Sequence, residues 1–173
     1  MKRIISLTVQ DRSGVLNRVT GVLQRRQFNI ASISVGPTET EGVSKMTLVV
    51  DVEDEQRLEQ VTKQLNKQID VLKVSDITDK AIVVRELALI KVASSAQLRS
   101  EINGIIDPFR ALIIDVSKDS LAIQITGRPD KIDALIELLR PYGIKEIART
   151  GLTAFQRGHQ PQGNELPATY LLK

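Results

Sequence analysis

The chain has 173 residues, of which 42% are hydrophobic and 26% are charged, as in globular proteins of one or two domains. It contains no cysteine, which excludes disulfides, thiolate metal sites and cysteine nucleophiles. It contains one histidine, His159, in the polar C-terminal segment, which argues against a Ser-His-Asp triad. The net charge of +3 and the aromatic content of 3% argue against a nucleic-acid-binding surface.

The sequence indicates neither a membrane span nor a signal peptide. No apolar run approaches the ~20 residues that are needed to cross a bilayer. Met1-Lys2-Arg3 leads into alternating apolar and polar residues instead of a continuous apolar segment. We therefore expect a cytoplasmic protein.

The first half of the chain predicts the order strand, helix, strand, strand, helix, strand, because apolar residues alternate in some segments and recur with helical spacing in others. The strands are predicted around Ile5–Val9, Ile30–Val35, Met46–Val52 and Val71–Ile77, and the helices over Val15–Leu23 and Leu58–Leu65. Asp54 is the predicted N-cap of the second helix. We expect Ile4, Ile33, Val35 and Val49 to lie on the sheet face that points away from the helices.

The second half repeats this order. Strands are predicted around Leu87–Val92, Ala111–Val116, Leu121–Thr126 and Ile144–Thr150, and helices over Leu98–Ile106 and Ile132–Leu139. Ser94 or Ser95 is the predicted cap of the first of these helices, and Asp130 is the predicted cap of the second.

Each half therefore has the βαββαβ order of a ferredoxin-like domain, in which two helices cover one face of a four-stranded antiparallel sheet. The predicted fold class is α+β, with two such domains in tandem. The boundary is predicted near Thr78-Asp79, with residues 1–78 in the first domain and residues 79–158 in the second. Residues 159–173 form a polar tail, which we expect to be mobile.

The strongest candidate for a binding site is the turn between the first strand and the first helix. Gly14 lies where the helix begins, so a ligand can approach the amides near Gly14, Val15 and Leu16 at the positive end of the helix. Asp11 can accept a hydrogen bond from an ammonium group, and Asn29 offers both a donor and an acceptor. This set matches a molecule that carries both a carboxylate and an ammonium group.

A purely structural interpretation of this turn is also open, in which Ser13 caps the helix and Gly14 only makes the turn. The equivalent segment of the second half, Ala93-Ser94-Ser95-Ala96, has no glycine. If glycine is needed for ligand approach, only the first half binds. The loop Gly127-Arg128-Pro129-Asp130 has residues suited to an anion, but Pro and Asp at the start of a helix indicate a structural role.

These residues resemble the regulatory (small) subunit of acetolactate synthase, also called acetohydroxyacid synthase. The resemblance covers about residues 1–158, and its first part is similar to the N-terminal ACT domain of that family. It is carried by Ile4–Leu7, Asp11–Leu16, Arg18-Val19, Phe28–Ile30, Ser32–Val35, Ser44–Thr47, Glu59–Lys67, Asp70–Val74, Arg85–Val92, Phe109-Arg110, Ile114–Val116 and Ala148–Gly151.

The resemblance implies a regulatory protein without catalysis of its own. The family's large subunit carries thiamine diphosphate, a divalent metal such as Mg and a flavin (FAD), and it condenses two 2-keto acids in branched-chain amino-acid synthesis. The small subunit raises that activity and confers feedback inhibition by valine, or by leucine or isoleucine. We expect no cofactor in this chain, and we expect the large catalytic subunit as its partner.

The resemblance also implies an effector site at the interface of an ACT–ACT homodimer. Carried over by position, one chain contributes Asp11, Gly14, Val15, Leu16 and Asn17, and the other contributes Asn29 and Ile30. Many family members have asparagine at the position of Asp11, so this chain differs in local charge. The second domain lacks the glycine and is expected to contact the large subunit.

Three other functions remain open at this stage. The chain is another amino-acid-sensing ACT regulator, or a ferredoxin-like RNA-binding module, or an enzyme in its own right. An RNA-binding module of this fold exposes aromatic side chains on its central strands, and an enzyme needs an acid–base set. Neither is evident in the sequence.

Overall fold

A computed structural model describes residues 1–158, and the predicted tail lies outside the described residues. The chain divides into two compact units. The first is Met1–Val83 with the described residues from Ala154 onward, and the second is Val84–Thr153. The division predicted at residues 78–79 lies in the connection between the two sheets. No helix among the described residues is long and apolar enough to cross a membrane.

The first unit has the predicted βαββαβ order. Its elements are β1 (Lys2–Gln10), α1 (Val15–Arg25), β2 (Asn29–Pro37), β3 (Val43–Asp51), α2 (Glu55–Asn66) and β4 (Val71–Asp76). The strands form an antiparallel sheet in the order β2-β3-β1-β4, which leaves β2 at one edge. The α+β ferredoxin-like fold predicted for this half is confirmed.

The core of the first unit lies between the sheet and its two helices. Alternate residues of β1, Ile5, Leu7 and Val9, are fully buried, and they meet the apolar stripes of the helices. The α1 stripe is Val15, Val19, Val22 and Leu23, and the α2 stripe is Leu58, Val61 and Leu65. Asp54 caps α2 as predicted, because its carboxylate accepts a hydrogen bond from the Arg57 amide at 2.7 Å.

A β-bulge in β2 changes which side chains face the helices. The register of β2 against β3 shifts between Ile30 and Ser32, so one extra residue enters the strand. After the bulge, Ile33 pairs with Leu48 and Val35 pairs with Met46, and both partners belong to the core beneath the helices. The prediction that Ile33 and Val35 point away from the helices is therefore wrong, because a one-residue slip exchanges the two faces of a strand.

The second unit repeats the order. Its elements are β5 (Ile82–Ala93), α3 (Arg99–Ile106), β6 (Leu112–Val116), β7 (Ser120–Gly127), α4 (Pro129–Leu139) and β8 (Ile144–Arg149). A further short strand, β9 (Thr153–Gln156), follows, and the division of the chain into units falls at its first residue. The strand order is β6-β7-β5-β8, and β9 pairs with β5. This confirms the second ferredoxin-like domain, whereas the short strand β9 was not predicted.

The helix caps predicted in the second unit are wrong. Helix α3 begins with Leu98 as its N-cap, and no side chain bonds to its first amides, so neither Ser94 nor Ser95 caps it. The N-cap of α4 is Arg128, and Pro129 occupies the first turn, which places Asp130 inside the helix. Asp130 is an acidic residue in the first turn of α4, where its negative charge complements the positive end of the helix dipole.

Candidate functional site

The turn between β1 and α1 is held in place by the main chain. The Asp11 amide donates a hydrogen bond to the Gly42 carbonyl at 2.8 Å. Gly14 is the N-cap of α1, and its φ of 83° lies in the left-handed region, which residues with a Cβ rarely adopt. No side chain caps the helix, so the interpretation in which Ser13 caps it is wrong.

Several main-chain amides at the start of α1 are unused. The Val15 amide donates to the Arg12 carbonyl at 3.3 Å, whereas the amides of Gly14, Leu16 and Asn17 have no acceptor within residues 1–158. The Leu16 side chain is 47% exposed, and that of Val15 is buried in the core. The turn therefore offers amide donors at the positive end of a helix beside one apolar side chain, which suits a small carboxylate.

A guanidinium group also lies at this turn. Nη2 of Arg18 is 2.6 Å from the carboxylate of Asp70, whose side chain is only 8% exposed. Nη1 of Arg18 is 3.0 Å from the position that a Cβ of residue 14 would take. We did not identify Arg18 from the sequence. Its signal is the spacing of four residues from Gly14, which places both on one side of the first helical turn.

One chain does not bring Asn29 and Ile30 to this turn. Asn29 begins β2 opposite Asp51, and its Nδ2 donates to the Asp51 carboxylate at 2.7 Å. Ile30 is half-buried and packs against the first core. Asp11 follows the opposite end of β1, and a strand of this length separates the two ends of the sheet by about 26 Å. A site that contains all the predicted residues therefore needs a second copy of the chain.

The other loop considered from the sequence, Gly127–Asp130, lines a cleft of about 390 Å³ in the second unit. Arg85, Arg128 and Lys131 are among its lining residues. Nε of Arg128 is 3.3 Å from the Asp130 carboxylate, and both side chains are exposed to solvent. This ion pair spans the start of α4, and the structural role of the loop stays a prediction.

Comparison with known protein families matches both units. Residues 5–73 match a family described as an AHAS small subunit-like ACT domain. Residues 85–158 match a family described as the small subunit of acetolactate synthase. The two matches together cover most of the described residues.

Individual relatives match over nearly their whole length. The chain is 66% identical over 164 residues to the acetolactate synthase small subunit of Bacillus subtilis (strain 168), which covers 95% of each chain. It is 50% identical over 160 residues to the probable acetolactate synthase small subunit of Archaeoglobus fulgidus, covering 92% of this chain and 99% of the relative. The crystal structure of the small subunit from Thermotoga maritima superimposes with a TM-score of 0.84 at 38% identity, covering 92% of this chain and 99% of that one.

Proposed function

The chain belongs to the acetolactate synthase small-subunit family, and we propose that it activates a separate catalytic subunit and makes that subunit sensitive to valine, or to leucine or isoleucine. In this proposal the chain has no catalytic activity of its own. Thiamine diphosphate, Mg and FAD are held by the catalytic subunit. The observation that carries the proposal is the ACT domain of this family with a glycine in the left-handed conformation at the start of α1.

The proposed effector site binds a free amino acid by its two charged groups. The unused amides of Gly14, Leu16 and Asn17 donate to the α-carboxylate, and the carboxylate of Asp11 accepts from the α-ammonium group. The exposed Leu16 side chain supplies apolar surface for a branched side chain. The position of Val15 in the core fixes the first helical turn, so its contribution is to hold the amides in place.

The proposed site needs a second copy of the chain, and we propose that the two copies meet through β2. Because β2 is an edge strand, two copies related by a two-fold axis can pair it antiparallel to itself. Such pairing centred near Ile33 sets Asn29 of one copy opposite Pro37 of the other. Pro37 lies at the end of the sheet from which the Asp11 turn leaves. Asn29 and Ile30 of the second copy are thereby brought toward the turn of the first.

Inhibition by valine requires that valine bind one state of the assembly more tightly than the other. The experiment is to assemble the full chain with the catalytic subunit and to measure acetolactate formation during a valine titration. We expect higher activity with the chain than without it, and a loss of that activity as valine is added. The variant Gly14→Asp is expected to remain active and to lose the response, because its carboxylate repels that of the ligand.

The matched control is Gly143→Asp, which places the same side chain at another glycine of positive φ, 89°, in the second unit. It is expected to keep the valine response. An assembly that ignores saturating valine, or a Gly14→Asp variant inhibited as well as the parent chain, would contradict the proposed site. Turnover of pyruvate by this chain alone would contradict its non-catalytic role.

RNA binding is not supported by a specific observation. Ferredoxin-like modules that bind RNA stack bases on aromatic side chains of their central strands. The central strands β1 and β3 carry no aromatic residue, and neither do β5 and β7.

A further inference from the structure

We infer that Arg18 binds the carboxylate of the effector, and that the missing Cβ of Gly14 leaves room for the guanidinium of Arg18. This inference rests on the proposed amino-acid site and adds to that site a side chain which decides what ligand it accepts. It changes the role of Gly14, whose missing Cβ makes room for a neighbouring cation as well as for the ligand.

One edge of the guanidinium is fixed by the protein. Nη2 of Arg18 is 2.6 Å from Oδ2 of Asp70, a side chain that is 8% exposed. The main-chain carbonyl of Asp70 accepts a hydrogen bond from the Gln10 amide at 2.8 Å. Asp70 is thus tied to the end of β1, so it holds the Arg18 side chain in one orientation at the turn. A cation held in this way loses little further freedom when it binds a ligand.

The other edge of the guanidinium is available to a ligand. Nη1 of Arg18 has no acceptor among the described residues, and the side chain is 44% exposed. This nitrogen lies 3.0 Å from the position of a Cβ at residue 14, directly beside the amide donors of the helix start. A carboxylate placed at the turn can accept from the amides with one oxygen and from Nη1 with the other. Charge-assisted hydrogen bonds of this kind are stronger than those to neutral donors.

The same helix provides a matched pair without these features. Gly21 and Arg25 repeat the spacing of four residues, and a Cβ at residue 21 would lie 3.5 Å from Nη1 of Arg25, an ordinary van der Waals distance. Gly21 is inside α1 and has no positive φ. Substitutions at Gly21 and Arg25 therefore control for the general effect of changing a glycine or an arginine on α1.

The test compares two ligands by isothermal titration calorimetry of the full chain. L-Valine carries the carboxylate, and L-valinamide keeps the ammonium group and the side chain but has a neutral amide. We expect the parent chain to prefer valine. In Arg18→Gln, valine affinity falls at least about tenfold, which is the size of one charge-assisted hydrogen bond, while the affinity for valinamide, a net cation, does not fall. Arg18→Lys restores part of the preference, and Arg25→Gln leaves it intact.

The outcomes separate this inference from the function on which it rests. An Arg18→Gln variant that loses affinity for both ligands equally assigns Arg18 a structural role and overturns the inference, as does a variant with unchanged valine affinity. The ratio of the two affinities is measured on one folded sample, so partial loss of stability does not affect it. A parent chain that binds neither ligand overturns the proposed site, and this inference with it.

A double substitution tests the role given to Gly14. Gly14→Ala is expected to weaken valine binding several-fold in the parent chain, because its Cβ displaces Nη1 of Arg18. In the Arg18→Gln background the same substitution is expected to have a smaller effect, because only the room for the ligand and the strain at positive φ then remain. Gly21→Ala is expected to leave valine binding unchanged in both backgrounds. Equal effects of Gly14→Ala with and without Arg18 would contradict this role of the glycine.

Discussion

Two glycines of the same region are expected to respond to alanine with opposite signs. Gly14 has a φ of 83°, and the left-handed conformation costs a residue with a Cβ about 1–2 kcal/mol. The reduced freedom of the unfolded chain offsets part of this cost, so Gly14→Ala should lower the free energy of unfolding by about 1 kcal/mol. The contact of the new Cβ with Arg18 adds little, because the end of a long side chain can move.

Gly21 lies inside α1, where alanine is preferred to glycine by about 1 kcal/mol. Its new Cβ would approach Arg25 only to 3.5 Å, so Gly21→Ala should stabilise the first unit. The two variants are expected to differ by about 2 kcal/mol in urea unfolding followed by far-ultraviolet circular dichroism, with equal slopes against urea. Gly14→Asn should cost less than Gly14→Ala, because asparagine tolerates positive φ. A Gly14→Ala variant as stable as Gly21→Ala would refute the reasoning.

Two further predictions concern the dimer and an ionisable side chain. Val35→Lys places a charge on the edge strand β2 of the proposed dimer and should weaken self-association about tenfold or more in sedimentation equilibrium. The control is Leu138→Lys, which changes a similarly exposed residue on α4 and should leave self-association unchanged. Equal effects of the two variants would argue against a β2 interface. The Tyr142 hydroxyl donates a hydrogen bond to Glu101, which raises the pKa of Tyr142. Its contribution to stability is therefore present below the pKa of the unfolded chain and lost as pH rises through the folded pKa. In a Tyr170→Phe background, Glu101→Gln should lower the midpoint of the phenol absorbance titration, and an unchanged midpoint would contradict this origin of the shift.

The sequence predicts the two folds because each element shows one clear period. Alternation along Ile5, Leu7 and Val9 and helical spacing along α1 both reflect burial on one face, and the structure has the elements where these patterns lie. Alternation alone does not reveal an inserted residue. The bulge after Ile30 leaves no mark in composition, and it reverses the faces of the rest of β2.

The N-cap residues of the helices are also predicted only in part by the sequence. A serine or aspartate before an apolar stripe predicts a cap, and this rule holds for Asp54. It fails for α3 because Leu98 precedes the helix in a helical conformation, and it fails for α4 because Pro129 begins the first turn one residue before Asp130. The choice among adjacent residues depends on where the helix packs on the sheet, which is a tertiary property.

The candidate site could be found from the sequence only in part. Gly14 marks the turn because a glycine between a strand and a helix is a local signal. Arg18 was missed because its role depends on Asp70, which lies far along the chain and reaches the turn only when β4 pairs with β1. Asn29 belongs to the opposite end of the same sheet, so in the proposed site it would come from a second chain and not from the chain that supplies the turn.

The equivalent turn of the second unit shows how far the two copies of the fold are alike at the candidate site. There the Ser94 amide donates to the Asp119 carbonyl at 3.0 Å, and the Leu98 amide donates to the Ser95 carbonyl at 3.1 Å. The cation that follows, Arg99, donates to the Ser117 carbonyl at 2.6 Å and so is bonded to the hairpin between β6 and β7. The first unit makes the same two main-chain bonds, from the Asp11 amide to the Gly42 carbonyl at 2.8 Å and from the Val15 amide to the Arg12 carbonyl at 3.3 Å. The two copies therefore share the turn and differ in its side chains, because the first has Gly14 with a φ of 83° and an arginine beside Asp70, whereas Arg99 of the second is bonded to a hairpin of its own unit.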